Sequence, residues 1–180
     1  MRWNRFSTVM LLAAALTGSA AMAQTTMHCY DDAQQIEDYN DEFLSYVNGI
    51  RSSGVNCGGT WMPPVDPVRY EESLLLGSLS HSFNMAGHGF FDHTDPFSGS
   101  GPADRQEGIY GSRCVGENIT AGSRRRTPWQ AFNGLKDSPG HCRNMMDPRY
   151  DHMAVGCAYN AGSRYSYYWT MNLGWKGNCR

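Results

Sequence analysis

The chain has 180 residues, of which 18% are charged and 12% aromatic, and 15 Lys and Arg stand against 17 Asp and Glu for a formal net charge of −2. That length suits one domain with one core. The mildly acidic balance excludes nucleic acid as a main partner, because affinity there rests on a basic surface; the one basic cluster, Arg124-Arg125-Arg126, is short and reads as a solvated turn.

Arg2 and Arg5 open the chain, an apolar run follows from Val9 to Leu16, and Ala21-Met22-Ala23 supplies small residues at the positions a signal peptidase reads. This layout predicts a secretory signal over residues 1–23, cut after Ala23; its apolar core is too short for a membrane anchor. The mature chain is then residues 24–180, a single domain of secreted or periplasmic location. It loses two of the 15 basic residues and none of the 17 acidic ones, so its net charge is −4. No later stretch reaches the length of a membrane span.

All six cysteines, Cys29, Cys57, Cys114, Cys142, Cys157 and Cys179, lie in the mature part. An even count in an exported chain predicts a disulfide framework, with the pairing open. No pair is spaced C-x-x-C, so zinc-ribbon, thioredoxin-like and haem-attachment motifs are missing.

From Ala33 to Arg51, apolar residues at Ile36, Tyr39, Phe43, Val47 and Ile50 recur in steps of three and four, one face of a helix. A Gly- and Pro-rich loop is expected over Asn56 to Pro67. A second helix is expected from about Tyr70 to Ala86, burying Leu74, Leu75, Ser78, Leu79, Ser82, Met85 and Ala86. Phe91 to Gly111 reads as irregular, with Asp95-Pro96 and Ser98 to Gly101 as turn signals. Thr127-Pro128 and Ser138-Pro139 are two helix starts, a hydroxyl cap followed by proline. Their helices reach Lys136 and Met146. Met153 to Tyr159 and Tyr165 to Leu173 predict an antiparallel hairpin, with Val115 to Thr120 as a third strand. At least half of Tyr165, Tyr167, Tyr168 and Trp169 should be core, because alternate strand residues face opposite ways. The fold class is therefore α+β.

Several segments in fixed order carry a resemblance: Phe90-Phe91-Asp92-His93-Thr94-Asp95-Pro96, then Asp104-Arg105, then Gly116-Glu117-Asn118-Ile119-Thr120-Ala121-Gly122, then Ser138 to Pro148 as S-P-G-H-C-R-N-M-M-D-P. Val155-Gly156 and Tyr167-Tyr168-Trp169-Thr170 follow, and His81-Ser82 precede them in the second helix. The chain resembles the bacterial branch of the CAP superfamily, also called SCP-like after the cysteine-rich secretory proteins, over about residues 43–174. The resemblance implies a three-layer α-β-α sandwich with a small central antiparallel sheet. It also implies a cleft with two histidines and one or two acidic residues, which in some members holds a divalent metal such as zinc. Position by position, the histidines are His93 and His141 and the acid is Glu117. A second acid falls near Ser138, a serine here, preceded by Asp137; Asn118 is also beside the cleft. Leu135 stands where the family usually has tryptophan.

The residue chemistry leaves two readings open. Two imidazoles and a carboxylate with an open position suit zinc or another divalent metal. Equally, Glu117 can accept backbone N–H bonds and His141 can pack in a first helical turn. His81 is expected to be a satisfied, partly buried histidine. His28, His88 and His152 are expected at the surface, and Asp104-Arg105 as an ion pair fixing a loop. Asn118-Ile119-Thr120 matches a glycosylation sequon by chance.

The resemblance implies an extracellular ligand-binding module for a lipid, sterol, cell-wall fragment or protein. The alternatives are a metal-assisted hydrolase and a structural extracellular scaffold. Neither an H-E-x-x-H helix nor a G-x-S-x-G elbow is present, and six pairable cysteines leave no thiol nucleophile.

Overall fold

The computed structural model describes residues 29–177. The export signal, its cleavage site, His28 and Cys179 lie outside the described residues.

Helix α1 spans Ala33–Ser53, capped by Asp32, whose side chain accepts from Gln35 N at 2.9 Å. Phe43 and Val47 are fully buried on the expected face, with Ile36, Tyr39 and Ile50 half-buried beside them. The same face buries two polar residues, Asn40 and Arg51. The Arg51 guanidinium donates to four backbone carbonyls, those of Asp66, Met145, Asp147 and Tyr150. Burial favours its uncharged form, and the carbonyl cage supplies the compensation that a buried cation requires.

The expected loop after α1 contains a small hairpin instead, β1 (Val55–Cys57) and β2 (Thr60–Met62), turning on Gly58-Gly59. Strands of three residues carry too little alternation to be read from sequence. Cys57 bonds to Cys142, which ties this hairpin to the short helix Pro139–Met145. Cys29 bonds to Cys157, and Cys114 is disulfide-bonded as well. Each bridge stabilises by about 2–4 kcal/mol, chiefly through the unfolded chain.

Strand β3 (Arg69–Tyr70) leads into α2 (Glu72–His88). Helix α3 (Pro102–Tyr110) occupies the segment expected to be irregular. Its start has the right chemistry: Pro102 needs no donor there, and Asp104 accepts from Gly101 N at 3.0 Å. The neighbouring Ser/Gly run and the internal Gly108 mask that signal. The remaining elements are β4 (Val115–Ala121), α4 (Pro128–Lys136), α5 (Pro139–Met145), β5 (His152–Tyr159) and β6 (Tyr167–Gly174). Thr127 caps α4 as expected, accepting from Gln130 N.

The main sheet has the order β3-β5-β6-β4. Its three long strands are antiparallel, and the two-residue β3 adds a parallel edge. Beyond β3, the outer edge of β5 is closed by side chains. Asn40 accepts from Val155 N at 2.8 Å and donates to its carbonyl at 3.1 Å, and the Tyr30 hydroxyl accepts from Cys157 N at 2.8 Å.

Alternation along β5 and β6 sorts the core into two layers. Met153, Val155, Cys157, Trp169, Met171 and Leu173 pack with α1, α4 and α5. Ala154, Ala158 and Tyr168 pack with α2 and α3. The result is an α-β-α sandwich. Tyr168 and Trp169 are fully buried on opposite faces, while Tyr165 and Tyr167 are half-buried. Gly156 sets the spacing of the α2 layer, because a Cβ there would lie 2.4–2.7 Å from the backbone of Ser78 and Leu79. No helix among the described residues is long and apolar enough to cross a membrane.

Candidate functional site

Among the described residues strand β4 pairs only with β6, and Glu117 stands opposite Asn172 on the face that meets α2 and α3. Its side chain is 1% exposed. A buried carboxylate needs partners, and three elements supply them.

The first is the loop after α2. Asp95 shapes it, accepting from Phe97 N at 2.8 Å, Ser98 N at 3.1 Å and Asn84 Nδ2 at 3.0 Å. Those backbone donors hold the Asp95 carboxyl below the usual range. The loop delivers His93, whose Nδ1 is 2.9 Å from Glu117 Oε1 while 47% of its side chain remains exposed. The bond to Glu117 raises the His93 pKa against the opposing effect of burial.

The second is α3. Arg105 Nη2 donates to Glu117 Oε2 at 2.7 Å and to the His93 carbonyl at 2.9 Å, and Nη1 donates to the Ser100 carbonyl at 2.7 Å. One guanidinium thereby fastens loop, helix and strand together. The expected Asp104-Arg105 pair does not form: Asp104 binds Arg113 at 2.9 Å, on the outer side of the helix. A helix points neighbouring residues in different directions, which an irregular loop would not have required.

The third is α2, through His81. This residue is fully buried and its Nε2 is 2.9 Å from the Asp92 carbonyl. A carbonyl only accepts, so Nε2 carries the proton. Glu117 Oε1 lies 3.8 Å from the same nitrogen. Burial lowers the His81 pKa, so the two are a neutral ring beside a carboxylate rather than an ion pair. The expectation of a partly buried, satisfied histidine fails on both counts: no side-chain surface is exposed, and Nδ1 has no partner. Its place on the buried row of α2, between Ser78 and Met85, was the sequence signal for a polar group needing a partner. Arg105 had no such signal without the helix that carries it.

The other cleft candidates make no bond to Glu117. Asn118 points to the opposite face from Glu117. It donates to the His141 carbonyl at 3.1 Å and accepts from Asn144 at 2.9 Å, binding α5 to β4. With 1% exposure and both amide ends engaged, the sequon asparagine is a structural fastener. His141 is half-buried, and burial, then His93, lowers its pKa. No hydrogen bond or ion pair joins it to Glu117. Asp137 is exposed and pairs with Lys136 at 2.8 Å. Ser138 caps α5 through its backbone, accepting from Cys142 N at 2.8 Å. Leu135 is core. His88 is exposed as expected, but His152 is mostly buried, 2.9 Å from the Tyr110 hydroxyl.

His93, Glu117 and His141 do not form the three-ligand zinc set that their residue chemistry left open. Both Glu117 oxygens are committed to His93 and Arg105. Among the described residues no three His, Cys, Asp or Glu side chains converge as a metal site.

Residues 44–173 match the cysteine-rich secretory protein family, CAP. The uncharacterized protein YkwD of Bacillus subtilis is 32% identical over 91 residues, half of this chain and 34% of that protein. An extracellular SCP-domain protein from Bacillus anthracis superposes with a TM-score of 0.62 at 21% identity, covering 81% of this chain and 44% of that one. An outer surface protein from Borrelia burgdorferi gives 0.61 at 10% identity, with 82% and 97% covered. This chain thus spans about a third of YkwD and under half of the Bacillus anthracis protein, and the structural likenesses speak to fold alone. Sequence match and sandwich architecture agree: the chain belongs to the cysteine-rich secretory protein (CAP) family.

Proposed function

We propose that the protein is an exported ligand-binding module, released by cleavage after Ala23, whose recognition group is the His93 imidazole. One observation carries this reading: a buried carboxylate, braced by a buried arginine, holds a half-exposed histidine by one ring nitrogen. Such backing fixes the ring and keeps its proton in place, as an orienting carboxylate does for histidines generally. With two donor side chains, Arg105 and His93, flanking a single carboxylate, the site favours an acceptor or anionic group on its ligand. Lipid headgroups, acidic cell-wall fragments and acidic protein segments offer that group. The Bacillus anthracis and Borrelia relatives are described as extracellular and outer-surface proteins, which supports the exported location. No observation here favours the hydrolase reading.

The test is titration of the purified mature protein with anionic and neutral lipid vesicles, sterol and soluble cell-wall fragments, read by calorimetry. Saturable binding to an anionic member, weakened at least tenfold in His93→Ala, is the expected result. Binding that is unchanged in His93→Ala, or no saturable binding to any member, rejects the reading.

A further inference from the structure

Glu117 stands opposite Asn172 and 3.8 Å from His81, two members of a seam between α2, α3 and the β4–β6 face, and this seam is polar. Ser78, His81, Ser82, Gln106, Thr170 and Asn172 are all fully buried. Part of the network closes on itself. Asn172 Nδ2 donates to Ser78 Oγ at 2.8 Å, Ser78 Oγ donates to the Leu74 carbonyl at 2.9 Å, and the Ser82 hydroxyl meets Thr170 at 2.8 Å. Gln106 reaches in from α3, its Nε2 3.4 Å from the Leu74 carbonyl. Gly77 makes the room, since a Cβ there would lie 2.1 Å from Gln106 Nε2.

The bonds that do form leave a consistent remainder. His81, Gln106 and Asn172 each spend a donor, on Asp92 O, Leu74 O and Ser78 Oγ. Each is left with a buried acceptor that nothing meets: His81 Nδ1, Gln106 Oε1 and Asn172 Oδ1. Arg105 Nε, a donor on the same helix as Gln106, is unmet too, but no hydrogen bond joins it to any of the three. Three orphan acceptors in one seam lack a donor, and the protein supplies none. An orphan of this kind costs about 1–3 kcal/mol, so three dry acceptors would consume much of a domain's stability of roughly 5–15 kcal/mol.

We propose that the seam is an internal hydration site, whose bound waters donate to His81 Nδ1, Gln106 Oε1 and Asn172 Oδ1. Water is the smallest molecule with two donors, and a domain of this size holds on the order of five such buried waters. The assignment stands apart from the ligand reading above. It gives the cleft a second tier: the exposed imidazole in front of Glu117, bound water behind it.

Two measurements on the oxidised mature protein test it. Water–protein cross-relaxation by NMR should show long-lived contacts at the His81 ring and the Asn172 side-chain amide. Gln106→Met keeps the volume and removes the unmet acceptor together with the long 3.4 Å bond to the Leu74 carbonyl, which keeps Ser78 Oγ as its donor. If water fills the seam, this variant strips a bonded partner and the thermal midpoint falls. If the seam is dry, it removes an unmet polar atom and the midpoint rises. Absent water contacts at His81 and Asn172, or a midpoint that holds or rises, overturns the assignment.

Discussion

Replacing Arg105 by alanine is the sharpest test of how the site is built. The side chain is 8% exposed, and it meets a carboxylate that is 1% exposed. Removing one partner of a buried pair costs about 3–5 kcal/mol, because the other charge stays behind uncompensated. Glu117 keeps His93 on Oε1, which places the expected loss at the lower end, about 3 kcal/mol. For a domain of this size that is a fall of roughly 6–12 °C in thermal midpoint. The Ser100 and His93 carbonyls also lose their donor, so loop 91–101 should loosen at the same time. Urea denaturation of the wild type, Arg105→Ala, Glu117→Gln and the double variant gives the coupling directly. The double variant should cost less than the sum of the singles by about 1–3 kcal/mol. A loss below about 1 kcal/mol, the size of an exposed pair, or a coupling of zero, would refute the view of Arg105 as the brace.

Two further outcomes follow from geometry already described. The His93 pKa is raised above its ordinary 6.5 by Glu117, so the stabilisation it brings is complete below about pH 6.5 and is lost as pH rises through the folded value. His81 and His141, whose pKa values are lowered, act in the opposite sense, with stability lost as pH falls below 6.5. Denaturation midpoints across pH 5.5 to 8.5 should therefore show an alkaline decline that disappears in His93→Gln; a decline of equal size in that variant contradicts the pairing. Gly156→Ala puts a methyl into the Ser78–Leu79 backbone and should cost about 1–3 kcal/mol by overpacking. Wild-type stability in that variant would mean that α2 does not ride directly on β5.

The parts of the fold visible in the sequence were those with long periods or sharp starts. The helical spacing of Phe43 and Val47, the Thr127-Pro128 and Ser138-Pro139 starts, and the apolar, β-branched and aromatic run from Met153 to Tyr159 all correspond to observed elements. The hairpin at Val55–Met62 and the two-residue β3 are too short to carry a period. Helix α3 was hidden by glycines on either side of and within it. The site divides in the same way. His93 and Glu117 stand in recognisable motifs and meet at 2.9 Å. His81 showed itself only as a histidine on the buried row of α2, without naming its partner, and Arg105 enters through a helix whose start was masked. His141 stands near enough to His93 to feel its charge but makes no bond to Glu117.

The clasp on the outer edge of β5 couples folding to the chemistry of the compartment. Tyr30 covers the Cys157 amide, and the residue before it, Cys29, is bonded to the sulfur of that same Cys157. Both fastenings depend on one short segment arriving at one point. A reduced chain holds that segment through Tyr30 alone among these two fastenings, by its hydroxyl and its packing on Tyr39, and when it leaves, the strand edge beside Asn40 is open to a strand from a second molecule, the usual seed of aggregation. Oxidation therefore does more than stiffen the unfolded chain: it is the step that takes the edge of the sheet out of circulation.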